Sequence, residues 1–198
     1  MARAVNPPVG GLILAGGRGE RLGGCEKGLL RIEGEPYAAR LIRLLAQHVS
    51  PVAVSANASL DEYARWADAV LPDHSFPQDG PLAGLYEGLL WASQKDLAGL
   101  LVTSCDTPLL PQAWVERLME SARGEPQRTH LTRLAEGDQP LHGYFPVTAL
   151  PLVRDALNSG ERRARRLAQS LSPVWVDCAA LSEGFFNVNS PEDQARLS

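Results

Sequence analysis

A loop rich in glycine and positive charge follows the first apolar segment of the chain. Residues 12–30 read LILAGGRGERLGGCEKGLL, in which glycines alternate with the cations Arg18, Arg21 and Lys27. Because glycine has no side chain, backbone N–H groups in such a loop can approach a ligand closely and form a nest for an anion. The pattern predicts a site for a phosphate chain. The alternative is a surface loop with solvated charges.

This loop matches neither of the common nucleotide-binding motifs. No Gly-Lys-Ser/Thr follows a four-residue gap, so it is not a Walker A loop, and Leu22 occupies the place of the last glycine of GxGxxG. The pattern present is LAGG-x3-R-x2-G-x2-K. It is formed by Leu14, Ala15, Gly16, Gly17, Arg21, Gly24 and Lys27.

A carboxylate closes the most apolar stretch of the sequence. GLLVTSCD ends at Asp106, and Pro108 and Pro111 follow closely. Magnesium prefers one or two carboxylates together with phosphate oxygens, so Asp106 is a candidate metal ligand. An aspartate before Thr-Pro also suits a turn or a helix cap. We favour the metal ligand because Lys27 and Asp106 both follow predicted strands and can share one crevice.

Two polar clusters lie near the C-terminus. Asn187 and Asn189 are two positions apart in FNVNSPED, so an extended backbone would place both carboxamides on one face. Carboxamides both donate and accept hydrogen bonds, but these asparagines also suit the cap of a helix starting at SPED. The RRARR run at 162–166 fits a solvated helix face and an anion-binding or partner-binding surface equally well.

The apolar periodicity predicts the elements that position these residues. Predicted strands cover 11–15, 52–56, 69–72, 99–106 and 173–176, with a hairpin of 128–134 and 139–146 joined by AEGD. Predicted helices cover 37–48, 61–67, 81–94, 111–122, 148–158 and 161–171. Alternation of strands and helices favours a mostly parallel sheet covered on both faces, with an antiparallel addition. Ligands of such sheets bind at the carboxyl ends of the strands, which directs attention to 16–36, 72–81 and 105–111.

Composition and charge favour a soluble globular protein and give no sign of a membrane or nucleic-acid-binding protein. A chain of 198 residues with 44% apolar and 21% charged residues is typical of one soluble domain. A net charge of −4 gives no sign of binding to nucleic acid or to an anionic membrane, and no apolar run is long enough to span a bilayer. The start of the chain has no signal-peptide core, the three cysteines form no CxxC pair and the histidines have no zinc spacing, so we expect a cytoplasmic protein.

The motifs together resemble the molybdenum cofactor guanylyltransferases, a family of nucleotidyltransferases. Besides the LAGG loop, the chain carries HSFPQDGPLAGL at 74–85 after Asp73, SCDTPLLP at 104–111, GERR at 160–163 and FNVNSPED at 186–193. These five segments occur in the family's order across nearly the whole chain. The resemblance implies a single three-layer α/β domain with a Rossmann-like sheet. Residues up to about 122 would bind the nucleotide and the remainder molybdopterin.

The resemblance also implies an activity and a set of roles. The enzyme would transfer GMP from GTP to the terminal phosphate of molybdenum-molybdopterin with Mg²⁺, releasing pyrophosphate. Arg21, Lys27 and Asp106 would be catalytic, with Asp106 as the metal ligand. Contacts to GTP would come from Leu14, Ala15, Gly16, Gly17, Lys27, Ser55, Asp73, Gly80, Pro81, Leu82 and Asp106, and contacts to molybdopterin from Arg162, Arg163, Asn187 and Asn189. Acceptor molybdoenzymes or their chaperones would be further partners.

Two positions depart from the family's pattern. Ser55 stands where the family tends to carry asparagine, and Asn57 is an alternative contact to the base. Glu26 replaces the aspartate expected before Lys27, which keeps the charge. The alternatives are a CTP-dependent enzyme on the same pterin, whose loop tends to read LAAG, and a non-catalytic cofactor carrier.

Overall fold

The computed structural model describes residues 8–16, 25–77 and 79–197. Its strands are β1 (Val9–Leu14), β2 (Arg31–Ile32), β3 (Glu35–Pro36), β4 (Val52–Ser55), β5 (Ala69–Leu71), β6 (Gly99–Ser104), β7 (His130–Leu134), β8 (Gly137–Pro146) and β9 (Val174–Asp177). Its α-helices are α1 (Tyr37–Leu45), α2 (Leu60–Tyr63), α3 (Pro81–Gln94), α4 (Gln112–Gly124), α5 (Leu150–Asn158), α6 (Ala164–Ser170) and α7 (Pro191–Ala195).

The main sheet has the order β5-β4-β1-β6-β8-β7-β9. Strands β5, β4, β1 and β6 run parallel, and Leu14 at the end of β1 is level with Ser55 of β4 and Ser104 of β6. Strand β8 joins β6 antiparallel and pairs with β7, which is parallel to β9. The prediction of a mostly parallel sheet with an antiparallel addition is therefore confirmed.

Alternating side chains of β1 build two hydrophobic cores on opposite faces of the sheet. Ile13 belongs to the core that contains Leu41 of α1 and Trp114 of α4. Leu12 belongs to the other core, which contains Leu85 of α3 together with residues of α5 and α6. Because successive strand residues point to opposite faces, one apolar run feeds both cores. The result is the predicted three-layer arrangement.

Several helix boundaries differ by three or four residues from the sequence-based ones: the helices predicted over 37–48 and 61–67 end at Leu45 and Tyr63. The helix predicted over 161–171 begins only at Ala164, because the carboxylate of Glu161 accepts the backbone N–H groups of Arg162 and Arg163 and holds them outside the helix. The β2–β3 hairpin was not predicted. Its turn places Glu33 and Gly34 at positive φ, a conformation that apolar periodicity does not report. Within the described ranges, no helix combines the length and apolarity needed to cross a membrane.

Candidate functional site

A crevice of about 280 Å³ opens where β1, β4 and β6 end. Its walls combine residues of the three segments singled out by the sequence with the ends of β1, β4 and β6 and with Leu141 of β8. They are formed by Leu14, Gly16, Lys27, Ser55, Asp73, Gly80, Pro81, Ser104, Cys105, Asp106 and Leu141. Most of the predicted nucleotide contacts therefore lie on one surface.

Among the described residues, two of the predicted nucleotide contacts, Ala15 and Leu82, do not line this crevice. Gly17 and Arg21 fall outside the described residues. The side chains of Ala15 and Leu82 are buried in the two hydrophobic cores. Both side chains pack beneath the crevice, so the contacts of Ala15 and Leu82 to the nucleotide stay a prediction that only their backbone atoms could fulfil.

The backbone at the floor of the crevice is fixed by hydrogen bonds between neighbouring strand ends. The N–H of Ala15 donates to the carbonyl of Ser55 at 2.8 Å, and the N–H of Cys105 donates to the carbonyl of Leu14 at 3.1 Å. These bonds continue the sheet one residue beyond each strand. The loops that carry the polar side chains therefore leave from rigid, adjacent points.

Lys27 lies at the start of a short 3₁₀ turn, Lys27–Leu29. The turn packs against α2: a Cβ on Gly28 would lie 2.6 Å from the hydroxyl oxygen of Tyr63. The hydroxyl of Ser59 also donates to Glu26 at 2.5 Å. Glu26, the departure from the family's aspartate, is thereby tied to the residue before α2, and the base of the Lys27 side chain is held in place.

The C-terminal residues Val188 and Asn189 bind two residues that line the crevice. The amine of Lys27 donates to Oδ1 of Asn189 at 2.5 Å, and the N–H of Val188 donates to the carbonyl of Asp106 at 2.8 Å. The alternative interpretation of the asparagines as helix caps is wrong, because Ser190 forms the capping box of α7 with Asp193. Asn187 is exposed beside them.

Asp106 has the features of a cation ligand. Its Oδ1 atom is buried and has no hydrogen-bond partner among the described residues. Unpaired buried carboxylate oxygens are costly, so such an atom marks a place for a donor or a cation. Oxygen donors suit hard divalent ions, and the donor chemistry of Asp106 fits Mg²⁺.

The groups behind Asp106 are not suited to acid–base chemistry. His142 is buried, with its Nε2 atom 2.8 Å from the hydroxyl of Thr107, and burial lowers the pKa of His142 to about 4 although the nearby charge of Asp106 opposes this shift. Burial and the negative Asp106 raise the pKa of the Cys105 thiol to about 12. Both groups are therefore neutral near pH 7. No sequence pattern indicates that His142 lies close to Asp106.

The opposite wall is the loop before α3. Burial raises the pKa of Asp73, the hydrogen bond from Asn57 opposes this, and the charges of Glu87 and Asp79 add to the rise. Glu87 accepts the N–H of Ser75 at 2.7 Å and so fixes the middle of the loop. Gly80, with φ of +71°, provides the left-handed turn from which Pro81 starts α3.

Ser55 lies almost fully buried beneath this wall. A Cβ on Gly84 would lie 2.2 Å from the Ser55 hydroxyl oxygen, so helix α3 passes directly over β4 at this point. Asn57, the alternative contact to the base, has both its oxygen and its nitrogen engaged by Asp73.

Comparison with known proteins defines the class of this site. A family model described as "MobA-like NTP transferase domain" matches residues 11–174. The chain belongs to the MobA-like NTP transferase family. It is therefore an enzyme of the nucleotidyltransferase class, and the resemblance inferred from the motifs is confirmed.

A curated relative agrees with this assignment, and two solved structures share the fold. The chain is 36% identical over 185 residues to a protein named molybdenum cofactor guanylyltransferase from Pseudomonas syringae pv. syringae, covering 93% of this chain and 90% of the relative. A crystal structure of molybdopterin-guanine dinucleotide biosynthesis protein A from Archaeoglobus fulgidus superposes with a TM-score of 0.77 at 18% identity, covering 96% of each chain. A manganese complex of Rv0371c from Mycobacterium tuberculosis gives 0.66 at 16% identity over 98% of each chain.

The two arginines of the GERR motif have different partners in the structure. Arg162 pairs with Asp79 at 2.6 Å and donates to the carbonyls of Leu157 and Glu161 at 2.8 and 2.9 Å. It therefore braces the loop that carries Gly80. Arg163 pairs with Glu161 at 3.1 Å and its side chain is 65% exposed. Both ion pairs are within the protein and do not indicate which ligand the arginines would bind.

Proposed function

We propose that this enzyme transfers GMP from GTP to the terminal phosphate of molybdenum-molybdopterin, releasing pyrophosphate. The observation that carries the proposal is that Lys27 and Asp106 line one crevice and that the C-terminal residues Asn189 and Val188 are hydrogen-bonded to them. A nucleotide-binding loop and a second, C-terminal binding element are thereby brought together, as a two-substrate reaction requires. The names of the curated relatives support the identity of both substrates.

The first part of the chain, to about residue 122, would bind GTP. Gly16 and Lys27 lie on the phosphate side of the crevice, with Gly17 and Arg21 of the same loop outside the described residues. Ser55 and Asp73 face the crevice from the ends of β4 and β5, and Gly80 and Pro81 close that wall. Ser55, Asp73 and Gly80 therefore suit the guanosine end of the nucleotide.

The reaction needs positive charge more than a base. A phosphate monoester has a second pKa near ~6, so the acceptor is already ionised at neutral pH. One of its oxygens forms a bond to the α-phosphorus, the bond between the α-phosphorus and the bridging oxygen breaks, and pyrophosphate leaves with that electron pair. Lys27 and the loop amides would hold the phosphates in line and stabilise the departing charge. The neutral state of Cys105 and of the buried His142 is consistent with such a mechanism.

Asp106 would hold Mg²⁺ together with oxygens of the nucleotide. The unpartnered Oδ1 atom of Asp106 supports this role, and the manganese complex of a structural neighbour is consistent with a divalent ion. When bound, Mg²⁺ would reduce the negative charge on the α-phosphate and favour attack by an anion.

The later part of the chain would bind molybdopterin. Asn189 is hydrogen-bonded to Lys27 of the crevice, and Arg162 is paired with Asp79 beside Gly80. Asn187 and Asn189 would offer carboxamides to the pterin or its phosphate, and Arg162 and Arg163 would offer positive charge. Acceptor molybdoenzymes would take the product. The three unpaired cysteines suit the reducing cytoplasm as the place of reaction.

The deciding experiment is pyrophosphate release by the purified enzyme with Mg²⁺ and molybdenum-loaded molybdopterin, with GTP and CTP in parallel. Release with GTP alone is the expected result. Release with CTP alone would overturn the choice of nucleotide while leaving the chemistry intact. Binding of the pterin without turnover on either nucleotide would overturn the assignment as a transferase and favour a carrier.

A further inference from the structure

Asn57 and Asp73 hold each other through two hydrogen bonds. Nδ2 of Asn57 donates to Oδ2 of Asp73 at 2.7 Å, and the backbone N–H of Asp73 donates to Oδ1 of Asn57 at 2.8 Å. The carboxamide therefore fixes both the backbone and the carboxylate of Asp73. Neither bond belongs to a helix or strand, so no regular structure demands the pair.

The carboxamide of Asn57 also faces the first glycine of the phosphate loop. A Cβ built on Gly16 would lie 3.4 Å from Nδ2 of Asn57, so this carboxamide borders the space in front of Gly16. Asn57 is therefore close to both Gly16 and Asp73, which line the crevice from different strand ends.

The arrangement leaves one oxygen of Asp73 without a partner. Oδ1 of Asp73 is buried and accepts no hydrogen bond within the described structure, while Asp73 itself lines the crevice. The surrounding charges are mixed, since Glu87 and Asp79 disfavour a second anion and His74 favours it. The hydrogen bond from Asn57 is the contact that both stabilises the ionised carboxylate and fixes its direction.

We infer that Asn57 is a positioning residue that aims Oδ1 of Asp73 at N–H or O–H donors of the nucleoside. The inference rests on the proposed function for the nucleotide in this crevice. It assigns Asn57 a role through Asp73, in place of a direct contact to the base. It also accounts for the serine at position 55, where the family tends to carry asparagine, because recognition of the nucleoside then depends on the Asn57–Asp73 pair.

Asn57→Ala removes the N–H donor without adding charge, whereas Asn57→Asp replaces it with a carboxylate that repels Asp73. We expect KM for GTP to rise by about tenfold in Asn57→Ala, the loss typical of one charge-assisted hydrogen bond, and by at least as much in Asn57→Asp, with kcat within about twofold. In an Asp73→Ala background Asn57→Ala should have no further effect, because Asn57 acts through Asp73. Asn158→Ala, an exposed asparagine at the end of α5, is the matched control.

A second measurement does not require a nucleotide. The Asp73 carboxyl is titrated by ¹³C NMR in the nucleotide-free protein, and Asn57→Ala should raise its pKa, whereas a space-filling role would leave it unchanged. If the wild type used neither GTP nor CTP, the proposed function would fail. The titration would still test whether Asn57 lowers the pKa of Asp73. A wild-type KM in Asn57→Asp, effects that multiply with Asp73→Ala, or an unmoved Asp73 pKa would each overturn the inference.

Discussion

The amine of Lys27 donates a hydrogen bond to Oδ1 of Asn189, 162 positions later in the chain. The bond joins the phosphate loop to the C-terminal motif. An ammonium group has three donors, so two remain for phosphate oxygens while Asn189 orients the side chain. A residue predicted to contact the acceptor is thus also part of the nucleotide side of the crevice.

Replacing Asn189 should therefore alter GTP binding even without a pterin. We expect Asn189→Asp to weaken GTP binding by about tenfold, because an ion pair with Lys27 places a negative charge beside the phosphates. Asn189→Ala should have a smaller effect, about threefold, from lost orientation. Calorimetric titration with GTP measures both. Asn187→Ala is the comparison, and equal affinities for all three variants would contradict this role of Asn189.

Lys27→Ala tests the phosphate contact directly. We expect kcat to fall more than tenfold, at least ~1.4 kcal/mol of lost transition-state stabilisation, with an unchanged thermal midpoint. Steady-state pyrophosphate release gives kcat. The chain's other lysine, the exposed Lys95, provides the control Lys95→Ala, which should match the wild type. Near-normal turnover in Lys27→Ala would exclude its catalytic role.

Asp106→Asn should remove the divalent-ion site while keeping the side-chain size. We expect turnover to fall by about 100-fold or more and no longer to depend on added Mg²⁺, because a neutral amide is a poor ligand for a hard cation. Binding of Mn²⁺ in the presence of GTP, followed by EPR, reports the site without turnover. The control is Asp96→Asn, at an exposed turn of positive φ that asparagine also tolerates. Unchanged Mn²⁺ binding would remove Asp106 from the site.

The sequence predicted the sheet and the position of the crevice because both follow from local patterns. Apolar runs alternated with helical periodicity, and the boundaries of α3 match the prediction because Pro81 marks its start. The glycine loop and Asp106 were recognisable because each directly follows such a run. These features depend on near neighbours in the chain.

Contacts between distant residues were not predictable. Nothing in the sequence indicates that Asn57 binds Asp73 or that His142 lies behind Asp106, since each contact depends on how separate loops pack. The burial of the Leu82 side chain was not predictable for a related reason. A motif marks a segment, but the helical phase of α3 turns this side chain into the core.

His142 should make folding sensitive to acid. Its pKa is about 4 in the folded protein and 6.5 when unperturbed, so protons bind preferentially to the unfolded chain. The contribution of neutral His142 to the free energy of unfolding is complete above pH 6.5. It is lost as the pH falls toward 4, at about 1 kcal/mol per pH unit. Urea unfolding at several pH values measures this slope. His142→Gln should reduce it, and the exposed His74→Gln should not; identical slopes in all three proteins would contradict the assignment.

Gly84→Ala tests the close approach of α3 to β4. The added Cβ would lie 2.2 Å from Oγ and 3.0 Å from Cβ of Ser55, so rotating the hydroxyl relieves only part of the clash. We expect a loss of about 1–3 kcal/mol in the free energy of unfolding, together with weaker GTP binding because Ser55 lines the crevice. Gly124→Ala in α4, with nothing within 4 Å, should be neutral or slightly stabilising. Urea unfolding compares the two, and a Gly84→Ala protein as stable as Gly124→Ala would show that the helix can move away from Ser55.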